Sequence, residues 1–228
     1  MDIIKDLVLV NKESFSRTVK SLKNGWPLFF VGFVYIILNT ALFTILSMLF
    51  IGPLSFFIGF IALIISSGFI SNYLYLLFNL INYNRITLQN FKDGFGYFLR
   101  KIYGIYFIGW VLSVLLSFVT GVLGQGAIDI NIIISASILI FLNALPETAY
   151  IKSYDSMGSI TYSLDFMKEN WFNWLIPNLV FMVIIYYLTG QIFGGLFKTH
   201  MSYGIFRNGS IYIRGLLGQI VFTIGMIY

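Results

Sequence analysis

The stretch "WPLFFVGFVYIILNTALFTILSMLFIGPLSFFIGFIALIISSGFISNYLYLLFNLI", Trp26 to Ile81, decides the fold, because it runs for more than fifty residues without one charged side chain. A helix rising about 1.5 Å per residue needs about 20 residues to cross a hydrocarbon core of about 30 Å. The run is therefore long enough for two crossings. "IGPLS", Ile51 to Ser55, divides it, since glycine and proline together punctuate a helix. The expected spans cover 26–50 and 53–81, joined by a short uncharged turn.

The whole chain has the same character. With 58% hydrophobic, 19% aromatic and 10% charged residues, and a mean hydropathy of +0.87, it lies outside the range of soluble domains. Its 228 residues accommodate about six spans in one integral membrane domain. The absence of cysteine removes disulfides, thiolate chemistry and sulfur-based metal sites. His200 is the single histidine, so a centre built on several imidazoles is excluded and no cofactor is expected. No basic run interleaved with aromatics points to nucleic acid. Met1 to Gly25 carries Asp2, Asp6 and Glu13 among its lysines and is unlike a cleaved signal peptide, so the first apolar segment is expected to be retained.

Further spans are expected over 102–123, 130–147, 171–188 and 211–228, the last a marginal one carrying Arg214. "GQGAID", Gly124 to Asp129, reads as a turn. The fourth span would be only about 24 Å long if it stopped before Pro146. It is either short or continues past a proline kink, and that choice sets the depth of Glu147. Eleven of the 14 lysines and arginines fall before the first span, after the second or after the fourth. This asymmetry, which also accounts for the net charge of +5, predicts a plasma-membrane protein with both termini cytoplasmic.

Those basic segments share a design. "SFSRTVKSLKNGWPLF" near the start and "GSITYSLDFMKENWFNWL", Gly158 to Leu175, superimpose at a constant offset of 145, which pairs Ser14 with Ser159, Lys23 with Lys168 and Trp26 with Trp171. The apolar stripe Phe15, Val19, Leu22, Trp26 matches Ile160, Leu164, Met167, Trp171, and the middle segment repeats it as Phe91, Phe95, Phe98, Ile102. Spacings of four, three and four are one face of a helix. Three amphipathic interfacial helices are expected over 12–25, 87–101 and 158–170, each leading into a hairpin of two spans. Their apolar faces turn toward acyl chains or toward the bundle. The fold class is thus an all-α polytopic transmembrane bundle of about six spans in three hairpins.

Over "LPETAYIKSYDSMGSITYSLDFMKENWFNWL", Leu145 to Leu175, the chain resembles six-span membrane proteins related to the membrane domain found beside glycerophosphodiester phosphodiesterase catalytic domains. The shared features are a proline-ended fourth span, a small-residue turn, a serine-bearing amphipathic helix and an aromatic start to the fifth span. The resemblance implies the six-span fold and no catalytic group, and no phosphodiesterase domain is expected within these 228 residues.

Three groups of residues are candidates for function. Asn39, Asn143 and Asn178 lie within expected spans, where an amide seeks a partner, and with Glu147 they define a candidate polar cavity. Pro177 beside Asn178 could break the fifth span. Lys20, Lys23, Trp26, Lys168, Trp171 and Trp174 form a candidate lipid interface. Asp165 and Glu169, four apart with Lys168 between them, read as a solvated helix face before they read as catalytic acids. His200 with Lys198 and Arg207 could meet an external anion, and Gly190 with Gly194 has the GxxxG spacing of close helix contacts. The leading expectation is a non-enzymatic scaffold or accessory protein engaging anionic membrane lipids, partner membrane proteins or its own copies. The alternatives are a transporter of a small solute or lipid with a midplane polar cavity, and, third, a lipid-headgroup enzyme.

Overall fold

The computed structural model describes residues 2–50, 52, 56–123, 127–190, 197 and 212–228. Among them are nine α-helices and no strand: α1 (Asp2–Gly25), α2 (Leu28–Leu49), α3 (Phe56–Tyr83), α4 (Leu88–Tyr97), α5 (Leu99–Leu123), α6 (Ala127–Phe141), α7 (Leu145–Ile151), α8 (Ser156–Thr189) and α9 (Tyr212–Ile227). Five helical stretches, Leu28–Leu49, Phe57–Tyr83, Leu99–Phe118, Ile132–Ile151 and Ser156–Thr189, are long and apolar enough to cross a membrane. The chain is an all-α membrane protein. Ile37, Leu115, Ile133 and Val183 stand on outward faces, an apolar surface suited to lipid as solvent.

Several boundaries differ from the expected ones. The helix expected over 158–170 and the span over 171–188 are one continuous rod, α8, about 51 Å long at 1.5 Å per residue. Nothing at Trp171 breaks it, and it ends at Gly190, whose left-handed φ of 68° stops the helix. Gly190 is therefore a cap and not one half of a GxxxG face, and Gly194 lies outside the described residues. The span expected over 130–147 is two helices. α6 ends at Phe141, the chain turns through Leu142–Ala144, and α7 restarts with Pro146 in its first turn, where its missing N–H costs nothing. α9 has 16 residues, about 24 Å, and is shorter than the hydrocarbon core. Of the turn expected over 124–129, residues 127–129 belong to α6, while 124–126, most of "IGPLS", and the group Lys198, His200 and Arg207 lie outside the described residues.

The best-packed part of the bundle forms around the second half of α3. Ile70, Tyr73, Leu74 and Leu77 are buried with Leu28 and Tyr35 of α2, Ile102 of α5, and Leu145 and Ala149 of α7. Polar groups pin α4 across this end. The Tyr35 hydroxyl donates to Asn72 Oδ1 at 2.7 Å, and the Asn72 amide donates to the carbonyl of Phe91. Ser71 Oγ donates to Gly94 O at 2.6 Å and accepts from Phe98 N at 2.8 Å. Asn90 Nδ2 donates to Asn79 Oδ1 at 3.2 Å. α4 starts where it does because Thr87 and Asn90 form a reciprocal capping box.

The three repeated segments settle differently. The alignment that matches Phe15 with Phe91 and Ile160 also matches Thr18 with Gly94 and Ser163, and all three of these small residues are buried. Small side chains let each helix approach its seat closely. α4 sits on α3, α8 lies against α7 and α5, and α1 sits on the end of α9, where Thr18 Oγ1 lies 3.5 Å from Ile227 O and the Tyr228 hydroxyl donates to Asn11 Oδ1. The apolar stripes then diverge. Phe15 and Val19 of α1, and Trp26 just past its end, face outward; Phe98 and Ile102 are buried; on α8 Met167 is buried while Trp171 is exposed.

Candidate functional site

A cavity of ≈ 180 Å³ opens between the α6–α7 break, the middle of α8, and α9. Each of the two segments that form its polar end carries a proline there. Pro146 follows the break that holds Asn143, and Pro177 lies inside α8 next to Asn178 and withholds an N–H from the helix. Irregular backbone at such depth is tolerated where it lines a cavity or is buried in protein. Asn143, Glu147 and Asn178 line the same cavity. Asn39 does not. It lies one turn beyond Tyr35 on α2, the helix that packs against α3, and is half-buried there.

The amide orientations follow from partners that allow only one choice. Trp174 Nε1, a donor only, donates to Asn143 at 2.9 Å, so the atom facing it is Oδ1. Asn178 donates to the carbonyl of Trp174 at 2.8 Å, so the atom there is Nδ2, which also lies 3.4 Å from Asn143 Oδ1. Trp174 thus anchors the polar end of the cavity by its N–H and meets Phe166 edge-on, a role beyond the interface one expected for it. The remaining lining is apolar: Leu139 and Ile140 from α6, Met182 and Ile185 from α8, and Phe222 from α9.

The lipid-interface candidates sit on two helices. On α1, Asn11, Ser14, Thr18 and Gly25 turn inward, while Phe15 and Val19, with Trp26 just past the helix end, are exposed beside the exposed Lys20 and Lys23. Glu13 and Arg17 pair on the charged side. On α8, Trp171 is exposed, and Lys168 pairs with Asp165 at 2.9 Å, so its charge is already matched. Arg214 is exposed near the start of α9.

Sequence reasoning missed Asn72, Asn79, Ser71 and Lys101. Lys101 Nζ donates to Ala149 O at 2.9 Å and Lys152 O at 2.8 Å, a cation closing the C-terminus of α7. Its own carbonyl accepts from Ser156 Oγ at 2.9 Å. The available signal was periodicity: Ser67 with Ser71, and Asn72 with Asn79, recur at helical spacing within one span. Among the described residues, no cluster of three His, Cys, Asp or Glu side chains suits a metal ion. No protein-family model, curated protein or solved structure matches the chain.

Proposed function

We propose that this is a non-enzymatic plasma-membrane protein that organises anionic lipid, and through it neighbouring membrane proteins, with both termini cytoplasmic. The observation that supports this reading is the geometry of α1. Its small polar face is spent on the bundle, and what remains outward is an apolar stripe of Phe15, Val19 and Trp26 beside Lys20 and Lys23. That is the composition of a helix lying in a headgroup layer rich in negative charge. The kinship with the membrane domain beside glycerophosphodiester phosphodiesterases belongs to the same proposal, supported by the order of features over 145–175. The non-enzymatic part rests on the cavity lining, to which the described residues bring a single carboxylate, Glu147.

The test is the lipid shell of the protein reconstituted in mixed phosphatidylcholine and phosphatidylglycerol, read with spin-labelled lipids. Phosphatidylglycerol is expected to be enriched in the shell, and Lys20→Gln with Lys23→Gln should remove most of the preference, since each lysine contributes up to about 1 kcal/mol. Lys168→Gln should do less because Asp165 already holds that charge. Equal occupancy of the shell by both lipids would overturn the reading. A second reading, transport of a small solute or lipid, draws on the cavity, where two proline-bearing segments place three polar side chains.

A further inference from the structure

The cavity has a direction. Along α8 its lining passes from Leu175 to Ile185, about 15 Å at 1.5 Å per residue, and Asn178, which lies 3.4 Å from Asn143, is nearer the first end. Phe222 packs on Ile185 at the other end and closes it with apolar surface. Ile140 and Leu179 also line the cavity, yet they are 46% and 54% exposed, so they form a rim open to the lipid-facing side of α6 and α8. A molecule reaching this pocket by that rim comes from the bilayer.

The polar end selects by hydrogen-bond sense. Asn143 Oδ1 is occupied by Trp174, and Asn178 Nδ2 by the Trp174 carbonyl. This leaves Asn178 Oδ1 as an acceptor, and the Glu147 carboxylate lines the same cavity. Asn143 Nδ2 contributes a donor. Acceptors backed by a carboxylate favour a head that donates and disfavour an anionic one. The volume, ≈ 180 Å³, somewhat exceeds the roughly 150 Å³ of an apolar cavity that holds benzene. It suits a small head with a short length of chain.

We propose that this pocket binds a membrane amphiphile from the bilayer side, with its hydrogen-bond-donating head, hydroxyl or ammonium, held by Asn178 and Glu147 and its chain lying over Ile140 and Leu179. This goes beyond the lipid-organising reading and does not depend on it, since it involves neither α1 nor its lysines.

The test uses the full chain in phosphatidylcholine nanodiscs, whose choline heads carry no donor, and photoreactive dodecanol, dodecylamine and dodecanoate, which share a chain and differ in the head. Crosslinks are mapped by mass spectrometry. Labelling between Leu139 and Asn143, or between Leu175 and Ile185, is expected to be about tenfold stronger with a donor head than with dodecanoate. If dodecylamine alone labels and Glu147→Gln abolishes it, the ligand class is an amine lipid. If dodecanol labels too and unlabelled monoacylglycerol competes, the class is a hydroxyl-headed lipid. Asn178→Leu should lose the head preference. Because that variant could disturb α8, Leu179→Trp at the exposed rim serves as the second, and should block labelling by obstructing the mouth. Equal labelling by all three probes, or labelling unchanged in Leu179→Trp, overturns the proposal.

Discussion

At the scale of single residues, the seat of α4 depends on Gly94 having no side chain. A Cβ placed there would lie 3.0 Å from Asn72 Nδ2, 3.1 Å from its Cα and 3.2 Å from its backbone oxygen, and Asn72 is fully buried in the middle of α3. Gly96, two residues on in the same helix, would meet nothing within 4 Å. Gly94→Ala and Gly96→Ala each gain up to about 1 kcal/mol of helix propensity, so their difference isolates the clash. Gly94→Ala is expected to be the less stable by about 1–3 kcal/mol, measured by thermal unfolding in detergent. Equal midpoints would show that α3 yields easily. This contact was hidden in the sequence. Asn72 and Gly94 are ordinary members of an apolar run and a polar segment, and only the turn at 84–87 brings them together. Asn143 and Asn178 were legible because an amide within a span is costly by itself, whatever its partner. The same argument applied to Asn39 without placing it in the cavity, since the residue alone does not say which helix its face will meet.

At the scale of elements, α7 is only seven residues long, and it is held at both ends by other parts of the chain. Its start follows the break at Asn143, and its end is closed by Lys101 reaching over from α5. Lys101→Met keeps most of the side-chain volume and removes the charge. The expected cost is about 1–2 kcal/mol, with faster amide exchange over 150–156 than over the middle of α3, read by hydrogen-exchange mass spectrometry. Unchanged exchange there would mean that packing of Tyr150 and Leu145 suffices. The helical segments themselves were largely legible, because long uncharged runs admit few other structures in lipid. Their joints were less so. The fusion of two expected elements into α8 has a simple cause: residues 158–175 contain no glycine or proline after Gly158, so nothing in the backbone interrupts the helix at the tryptophans.

At the scale of the whole molecule, the ends of the described chain meet. The Tyr228 hydroxyl reaches Asn11, and Thr18 lies against Ile227. Residues 11 and 228 therefore lie on one side of the bundle, and the orientation proposed from the distribution of lysine and arginine has that side in the cytoplasm. The chain has no cysteine, so single substitutions report without background. Ser16→Cys and Thr161→Cys, both at exposed positions, should react with a membrane-impermeant thiol reagent only after cells are opened. Labelling of either in intact cells would reverse the orientation. The repeat was legible as a spacing, but the choice between lipid and bundle was not. Thr18, Gly94 and Ser163 all turn inward, whereas the stripes beside them face outward on α1 and toward protein on α4. The difference depends on which neighbours stand beside each helix.

The unbroken length of α8 gives the molecule a mechanical property. One end of the rod is clamped beside Lys101 through Ser156, and Pro177 weakens it where it passes the cavity. From Ser156 to Ile176 is an arm of about 31 Å, and a bend of about 10° at the proline would sweep its far end through about 5 Å. A guest that wedged the pocket open would pull on that clamp, and α8 would then act as a lever whose short arm packs on α9 and whose long arm carries Lys168 and Trp171.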